Sequence, residues 1–200
     1  MSAGDDGVTD VWPRRAPRPG APATGASPDA TLSAPGGRPS ARLMFRHPAH
    51  LLALGFGAGL SPLAPGTVGT LWAWLVWALL LAGLAPTTQG LVILLGLLLG
   101  CWAAARTARQ LGRADPGAIV VDEVVAFWLV LWLLTPAGFW AQLVAFALFR
   151  GFDAAKPGPV GWADRLLHGA RGWRGGFGVM LDDLVAAFCT LLVIALWRAL

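Results

Sequence analysis

The chain has one lysine, one glutamate, three histidines and two cysteines among 200 residues. Cys101 and Cys189 both lie inside apolar runs, so they read as buried thiols and exclude a disulfide framework. Cys101 and Arg106 have four residues between them on an unbroken helical stretch, one short of a thiolate phosphatase loop and without its glycines. That chemistry is excluded too. His50 and His168 lack ligand spacing to each other, and His47 precedes a proline at a segment boundary, so the histidines suggest no metal set. Charged residues make up 13%, with no basic patch interleaved with polar aromatics, which argues against a nucleic-acid partner. The N-terminal stretch has no apolar centre like that of a secretory signal and is expected to stay in the mature protein.

What the chain has instead is apolar surface. Hydrophobic residues reach 56%, eleven residues are Trp, and mean hydropathy is +0.62, outside ordinary soluble composition. The net charge of +4 comes mostly from Arg beside apolar segments, which fits positive-inside topology and contact with anionic lipid. The expectation is an all-α, polytopic membrane protein with about four to five short hydrophobic helices, one of them re-entrant or interfacial. Residues 1–46 are expected to form a disordered Pro/Ala/Gly/Arg-rich tail, and residues 47–200 the membrane domain.

Arg placement orders the segments. Arg38, Arg42 and Arg46 precede the first apolar stretch and favour a cytoplasmic N-terminus. Residues 48–63 are broken by glycines and read as re-entrant or interfacial rather than spanning. Val68–Leu84 is a spanning candidate, followed by the uncharged turn Ala85–Gln89 and a second candidate, Gly90–Ala105. Arg106, Arg109 and Arg113 then return the chain to the cytoplasm. Val124–Leu134 and Phe139–Phe149 are too short to cross ~30 Å of hydrocarbon at ~1.5 Å per residue. They can span only if their helices run on through Asp122/Glu123 and Arg150/Asp153. These charges would then lie at headgroup depth. The stretch 151–181 reads as polar and Gly/Pro-rich, ahead of a last helix Leu184–Trp197.

Seven of the eleven acidic residues follow residue 100, and six of these sit at the ends of apolar segments. An ionised carboxylate there costs several kcal/mol unless it is paired or metal-bound. Asp122-Glu123 begins a helix, where one acid would serve the helix dipole but two adjacent ones repel. Asp182-Asp183 repeats the arrangement before the last helix, where an N-cap is the plain alternative. Carboxylate oxygens select a hard cation such as Mg²⁺, and Asp122, Glu123, Asp153, Asp182 and Asp183 are its candidate ligands. Arg150, Asp153 and Lys156, spaced i, i+3, i+6, share a helix face. They form either an intrahelical ion-pair ladder or a metal ligand flanked by two phosphate-binding cations. Asp164 either extends this site or pairs with Arg165 at the surface. The turn SPLAPGTVGT, residues 61–70, is a tight turn ahead of a helix or an anion cradle of backbone N–H groups.

Four ordered blocks resemble the phosphatidylglycerophosphatase A family. They are HPAHLLALGFGAGLSPLAPGTVGTL (47–71), GAIVVDEVVAFW (117–128), FRGFDAAKPGPVGWADR (149–165) and GGFGVMLDDLVAAF (175–188). The resemblance implies a Mg²⁺-dependent phosphatase that acts on the phospholipid phosphatidylglycerophosphate at the cytoplasmic face of the bacterial inner membrane. It carries catalytic roles onto Asp122, Glu123, Asp153, Lys156, Asp182 and Asp183. Ser61, Pro65, Gly66, Thr67 and Gly69 match the family's turn, and Ser61, Gly66, Thr67 and Gly69 with Arg150 make the expected substrate-binding set. Gly169–Arg174 reads as an insertion. The rival from another class is a small cation or lipid transporter, which would place its acids near mid-helix and at successive depths.

Overall fold

A computed structural model describes residues 39–112, 117–167, 169–170 and 172–200. Arg38, Arg113, His168 and most of the N-terminal tail lie outside the described residues. The described residues contain helices and no strand. The α-helices are α1 (Ala41–Arg46), α2 (Pro48–Ala53), α3 (Pro65–Val76), α4 (Pro86–Leu111), α5 (Val121–Leu134), α6 (Phe139–Ala155), α7 (Gly158–Leu166) and α8 (Trp173–Ala199).

The ordered fold starts before residue 47, the expected domain boundary. Ser40 caps α1 by accepting from Leu43 N–H, and Leu43 and Met44 are buried. After α2 a 3₁₀ segment, Gly55–Leu60, bends sharply at Phe56 (φ 55°) and Gly57 (φ 113°). Six helical residues reach roughly 9 Å, so neither piece crosses a bilayer as a helix. Helix α3 opens into a wide π turn at Trp77–Leu81, where Gln89 of α4 donates to the Leu81 carbonyl at 2.9 Å.

Helix α4, with 26 residues, and α8, with 27, are long and apolar enough to cross a membrane. Leu91, Leu94, Leu95 and Leu98 on α4, and Leu192, Leu196 and Trp197 on α8, are exposed, an outward apolar face suited to hydrocarbon. Helices α5 and α6 do continue through Asp122/Glu123 and Arg150/Asp153, but at 14 and 17 residues both remain shorter than the roughly 20 residues a straight span needs.

The core is built around α5, which packs against α3, α4, α6 and α8. Fully buried Ala73, Ala103, Ala104, Ala126 and Ala187 let the backbones approach closely. Indole N–H groups tie the layers together: Trp128 donates to the Ala73 carbonyl at 2.9 Å, and Trp74 to Gln142 Oε1 at 2.7 Å. Trp74, Phe127, Phe146 and Phe149 stack in one aromatic cluster, with centroids 5.6–6.3 Å apart.

One expectation fails clearly. The last helix starts at Trp173, not near Leu184, and the stretch 151–181 holds the end of α6, all of α7 and the first turns of α8. The glycines at 175–178 therefore lie inside a helix. A Cβ at Gly176 would collide with the Cys101 carbonyl and lie 2.9 Å from Ala105 Cβ. Glycine is there so that α8 can lie against α4, and its usual helix-breaking tendency is outweighed by packing.

Candidate active site

Three helices bring the acids together. Asp122 and Glu123 come from the first turn of α5, Asp153 from the last turn of α6, and Asp182 and Asp183 from the interior of α8. Oxygens of Asp122, Glu123 and Asp183 lie within 4.8 Å of one another, and so do oxygens of Asp153, Asp182 and Asp183. Asp183 belongs to both triples and is the most enclosed, at 2% exposed. Asp122, Glu123 and Asp182 are buried as well.

The two pairs have different local support. Asp122 and Glu123 sit where helix N–H groups are free, and Asp122 Oδ1 accepts from Glu123 N–H at 3.1 Å. Asp182 and Asp183 have no such help. They lie ten residues into α8, where the backbone N–H groups are spent on the helix, so the N-cap alternative is overturned.

Two cations meet these five carboxylates. Arg150 is hydrogen-bonded to Asp153, and its Nη1 lies 3.7 Å from Glu123 Oε1. The intrahelical Arg150–Asp153 pair expected from the spacing is therefore real, but it also reaches across to α5. Lys156 departs from expectation. It does not share the helix face of Arg150 and Asp153, because α6 ends at Ala155 and Lys156 turns away in the left-handed region (φ 44°). Pro157 next in sequence stops the helix there. From that position Nζ donates to Asp164 Oδ1 at 2.5 Å and Asp182 Oδ2 at 2.6 Å, bridging α7 and α8. Burial pushes the ammonium pKa down, but the hydrogen bonds it donates to the Asp164 and Asp182 carboxylates outweigh that and hold the pKa above its ordinary value. Lys156 stays cationic through the physiological range.

The turn before α3 reaches the cluster at one point. A Cβ at Gly66 would collide with Glu123 Oε1 and come within 3.0 Å of Arg150 Nη2. Pro65 begins α3, leaving the N–H groups of Gly66 and Thr67 outside the intrahelical ladder beside these charges. Two other turn residues are accounted for by packing. Gly69 lies against Val120, where a Cβ would sit 2.8 Å from that residue's Cβ, and Ser61 Oγ donates to the Leu63 carbonyl at 2.8 Å within the turn. Asp164, left open from sequence, is the partner of Lys156 rather than of Arg165. Its spacing of eight from Lys156 crosses a proline and offered no helical register to read.

The donor set fits a hard cation. All five groups are carboxylates from three rigid helices, and Glu123 Oε2 is buried with no hydrogen-bond partner. A buried carboxylate oxygen left without a donor is costly unless a cation meets it, and Arg150 Nε is likewise buried without a hydrogen-bond partner. Cys101 is buried within α4, and its sequence neighbourhood is plain helix, in agreement with the exclusion of thiolate chemistry.

Comparison with known proteins gives the same direction. The family model described as phosphatidylglycerophosphatase A matches residues 51–198. The chain is 42% identical to "Phosphatidylglycerophosphatase A" of Escherichia coli (strain K12), over 72% of this chain and 80% of the relative. It is 38% identical to the protein of the same name from Haemophilus influenzae, over 78% and 92%. It is also 39% identical to a "Putative phosphatidylinositol-3-phosphatase" of Bacteroides thetaiotaomicron, over 74% and 92%. No solved structure matches the chain. The match over most of the chain, at this level of identity, makes it a member of the phosphatidylglycerophosphatase A family of enzymes.

Proposed function

We propose that the chain is a Mg²⁺-dependent phosphomonoesterase that removes the terminal phosphate of phosphatidylglycerophosphate to give phosphatidylglycerol. The observation that carries this reading is the convergence of five carboxylates from α5, α6 and α8, with a buried unpaired oxygen on Glu123 and two cations at their edge. The relatives' names supply the substrate.

Asp122, Glu123, Asp153, Asp182 and Asp183 would hold the ion. When bound, Mg²⁺ supplies positive charge at the phosphoryl oxygens and a polarised water. The chain's own groups do the rest. The guanidinium of Arg150 and the free N–H groups of Gly66 and Thr67 orient non-bridging phosphate oxygens. A cluster carboxylate takes the proton of the attacking water as its oxygen bonds to phosphorus. The ester P–O bond breaks, and the glycerol oxygen leaves and is protonated from solvent. Lys156, held cationic by two carboxylates, serves as a fixed charge and not as a proton donor.

In the same reading the protein is a multi-pass inner-membrane protein with its carboxylates on the cytoplasmic side. Arg106 and Arg109 at the cytoplasmic end of α4 support that orientation. The bent segment of α2 and the 3₁₀ turn then enters and leaves on one side, which brings Gly66 to α5. Clustering of the acids at one place, rather than along a path, favours an enzyme over a transporter.

The test is phosphate release from phosphatidylglycerophosphate by the purified, detergent-stable protein. Release is expected with Mg²⁺ and none with chelator; a folded preparation that releases no phosphate under either condition refutes the reading.

A further inference from the structure

A second feature lies one residue away from the carboxylates. Helix α5 turns Asp122 and Glu123 into the cluster, and turns Val121, Val124, Val125 and Trp128 into a separate cavity of about 400 Å³ between α2, α3, α4 and α5. That volume is within the ~300–1,000 Å³ of small-molecule sites. The floor is closed: Val121, Val124 and Val125 are buried, and Trp128 is fixed there by its bond to the Ala73 carbonyl. The rim is open, with Phe56, Leu80 and Leu99 all exposed.

The cavity is elongated along the helices. From Val121 to Trp128 its wall runs roughly 10 Å, and from Trp72 to Leu80 roughly 12 Å, at ~1.5 Å per residue. Its near end is set by Val121, and consecutive Cα atoms are about 3.8 Å apart, so the groove begins at the level of Asp122. Every lining residue is apolar or glycine. A polar ligand would find no partner there, whereas a hydrocarbon chain would lose nothing by entering. Gly96 and Gly100 on α4 keep the back of the groove shallow enough for α5 to close it: a Cβ on Gly96 would lie 3.2 Å from Val125 Cγ2, and one on Gly100 3.3 Å from Val121 Cγ2.

We infer that this groove is a binding site for one acyl chain of the substrate, entered from the lipid side and leading to the carboxylate cluster. The inference rests on the phosphatase reading above, because a phosphate ester held at the cluster must place its tails within reach of Val121. The occupant is the chain of the reacting lipid, not a bulk lipid. Binding one tail would draw the headgroup out of the plane of its neighbours and fix the phosphate's height against Arg150. It would also make the enzyme sensitive to chain length, since each pocket-filling methylene is worth about tenfold or more in discrimination.

The experiment compares dihexanoyl and dioleoyl phosphatidylglycerophosphate in mixed micelles. Val76→Trp, in the middle of the groove, should raise the ratio of dihexanoyl to dioleoyl kcat/KM about tenfold, mainly through the dioleoyl KM. A dioleoyl analogue with a photoreactive group midway along one chain should label peptides from α3 and α4. Phosphatidylcholine carrying the same group should not compete. An unchanged ratio, or equal labelling by phosphatidylcholine, overturns the acyl site while leaving the phosphatase reading intact. Failure of the unmodified protein to hydrolyse either substrate overturns the phosphatase reading instead. If Val76→Trp does not fold, Leu80→Trp at the exposed rim carries the same expectation.

Discussion

The two acidic pairs look alike in sequence and are not alike in the fold. Asp122-Glu123 opens α5, where free N–H groups and the helix dipole stabilise negative charge. Asp182-Asp183 lies inside a 27-residue helix that gives it no such support. Each pair is buried, so each is costly, but only the first receives partial local compensation. The comparison teaches that the second pair depends more on what it faces: Lys156 on one side, and the carboxylates of α5 and α6 that meet Asp183 on the other.

The largest expected effect tests that asymmetry directly. Asp183→Asn should lower kcat/KM on the order of 10³-fold, and Asp122→Asn by less, because Asp183 belongs to both triples and Asp122 to one. The same Asp183→Asn change should raise Tm in chelator by roughly 2–4 °C by removing a repelled carboxylate. It should also abolish the Mg²⁺-induced rise in Tm. Equal losses in the two variants would break the comparison.

Gly66→Ala presses on the first pair and on Arg150 beside it. Its methyl would collide with Glu123 Oε1, so a rate loss of about tenfold to a hundredfold is expected, from overpacking of about 1–3 kcal/mol at the site. Full activity would mean that the turn does not sit against Glu123.

Asp164→Asn touches the second pair alone, through Lys156. A loss of about threefold to tenfold is expected, with a higher Mg²⁺ requirement, and Asp164→Glu should restore much of it. The pH dependence has a definite sign. The Lys156 pKa is raised on folding, so its contribution to stability is complete below its ordinary value of 10.5 and is lost as pH rises towards the folded value. Asp164→Asn should reduce that alkaline loss, as followed by thermal melts at increasing pH.

The smallest effect is a control remote from both pairs. His50 Nδ1 and Thr107 Oγ1 are 2.9 Å apart and buried, joining α2 to α4. Thr107→Val should cost about 1 kcal/mol of stability with little change in kcat. Burial, then the nearby His47 and Arg106, hold the His50 pKa below 6.5, so stability present above that pH falls as acid protonates the unfolded chain. Denaturant melts at pH 7.5 and 5.5 read the difference.

Several site features could be read from the sequence because they are local. An acid at a helix start, a helix too short to span unless it runs through its charges, and an i, i+3 ion pair each depend on neighbours a few residues away. Asp122, Glu123, Arg150 and Asp153 behave accordingly. The errors have the opposite character. Residues 175–178 fall in the Gly/Pro-rich stretch expected to precede the last helix, yet they are helical, and Gly176 clears the Cys101 carbonyl of α4, about 75 residues earlier in the chain. The i, i+6 spacing puts Lys156 on the helix face of Arg150, but Pro157 turns it out, and its partners Asp164 and Asp182 come from two other helices.

By itself the sequence determined an all-helical chain, apolar enough for a membrane, with costly carboxylates at segment ends and four blocks that resemble one enzyme family. Composition and short-range spacing are sufficient for that, because helix length, dipole and desolvation act residue by residue. Only the tertiary structure decided that Asp183 is shared by both triples, that Asp164 holds Lys156, and that α5 separates a polar cluster from an apolar groove. Those features arise from helices distant in sequence packing against α5, and no local preference encodes which faces meet.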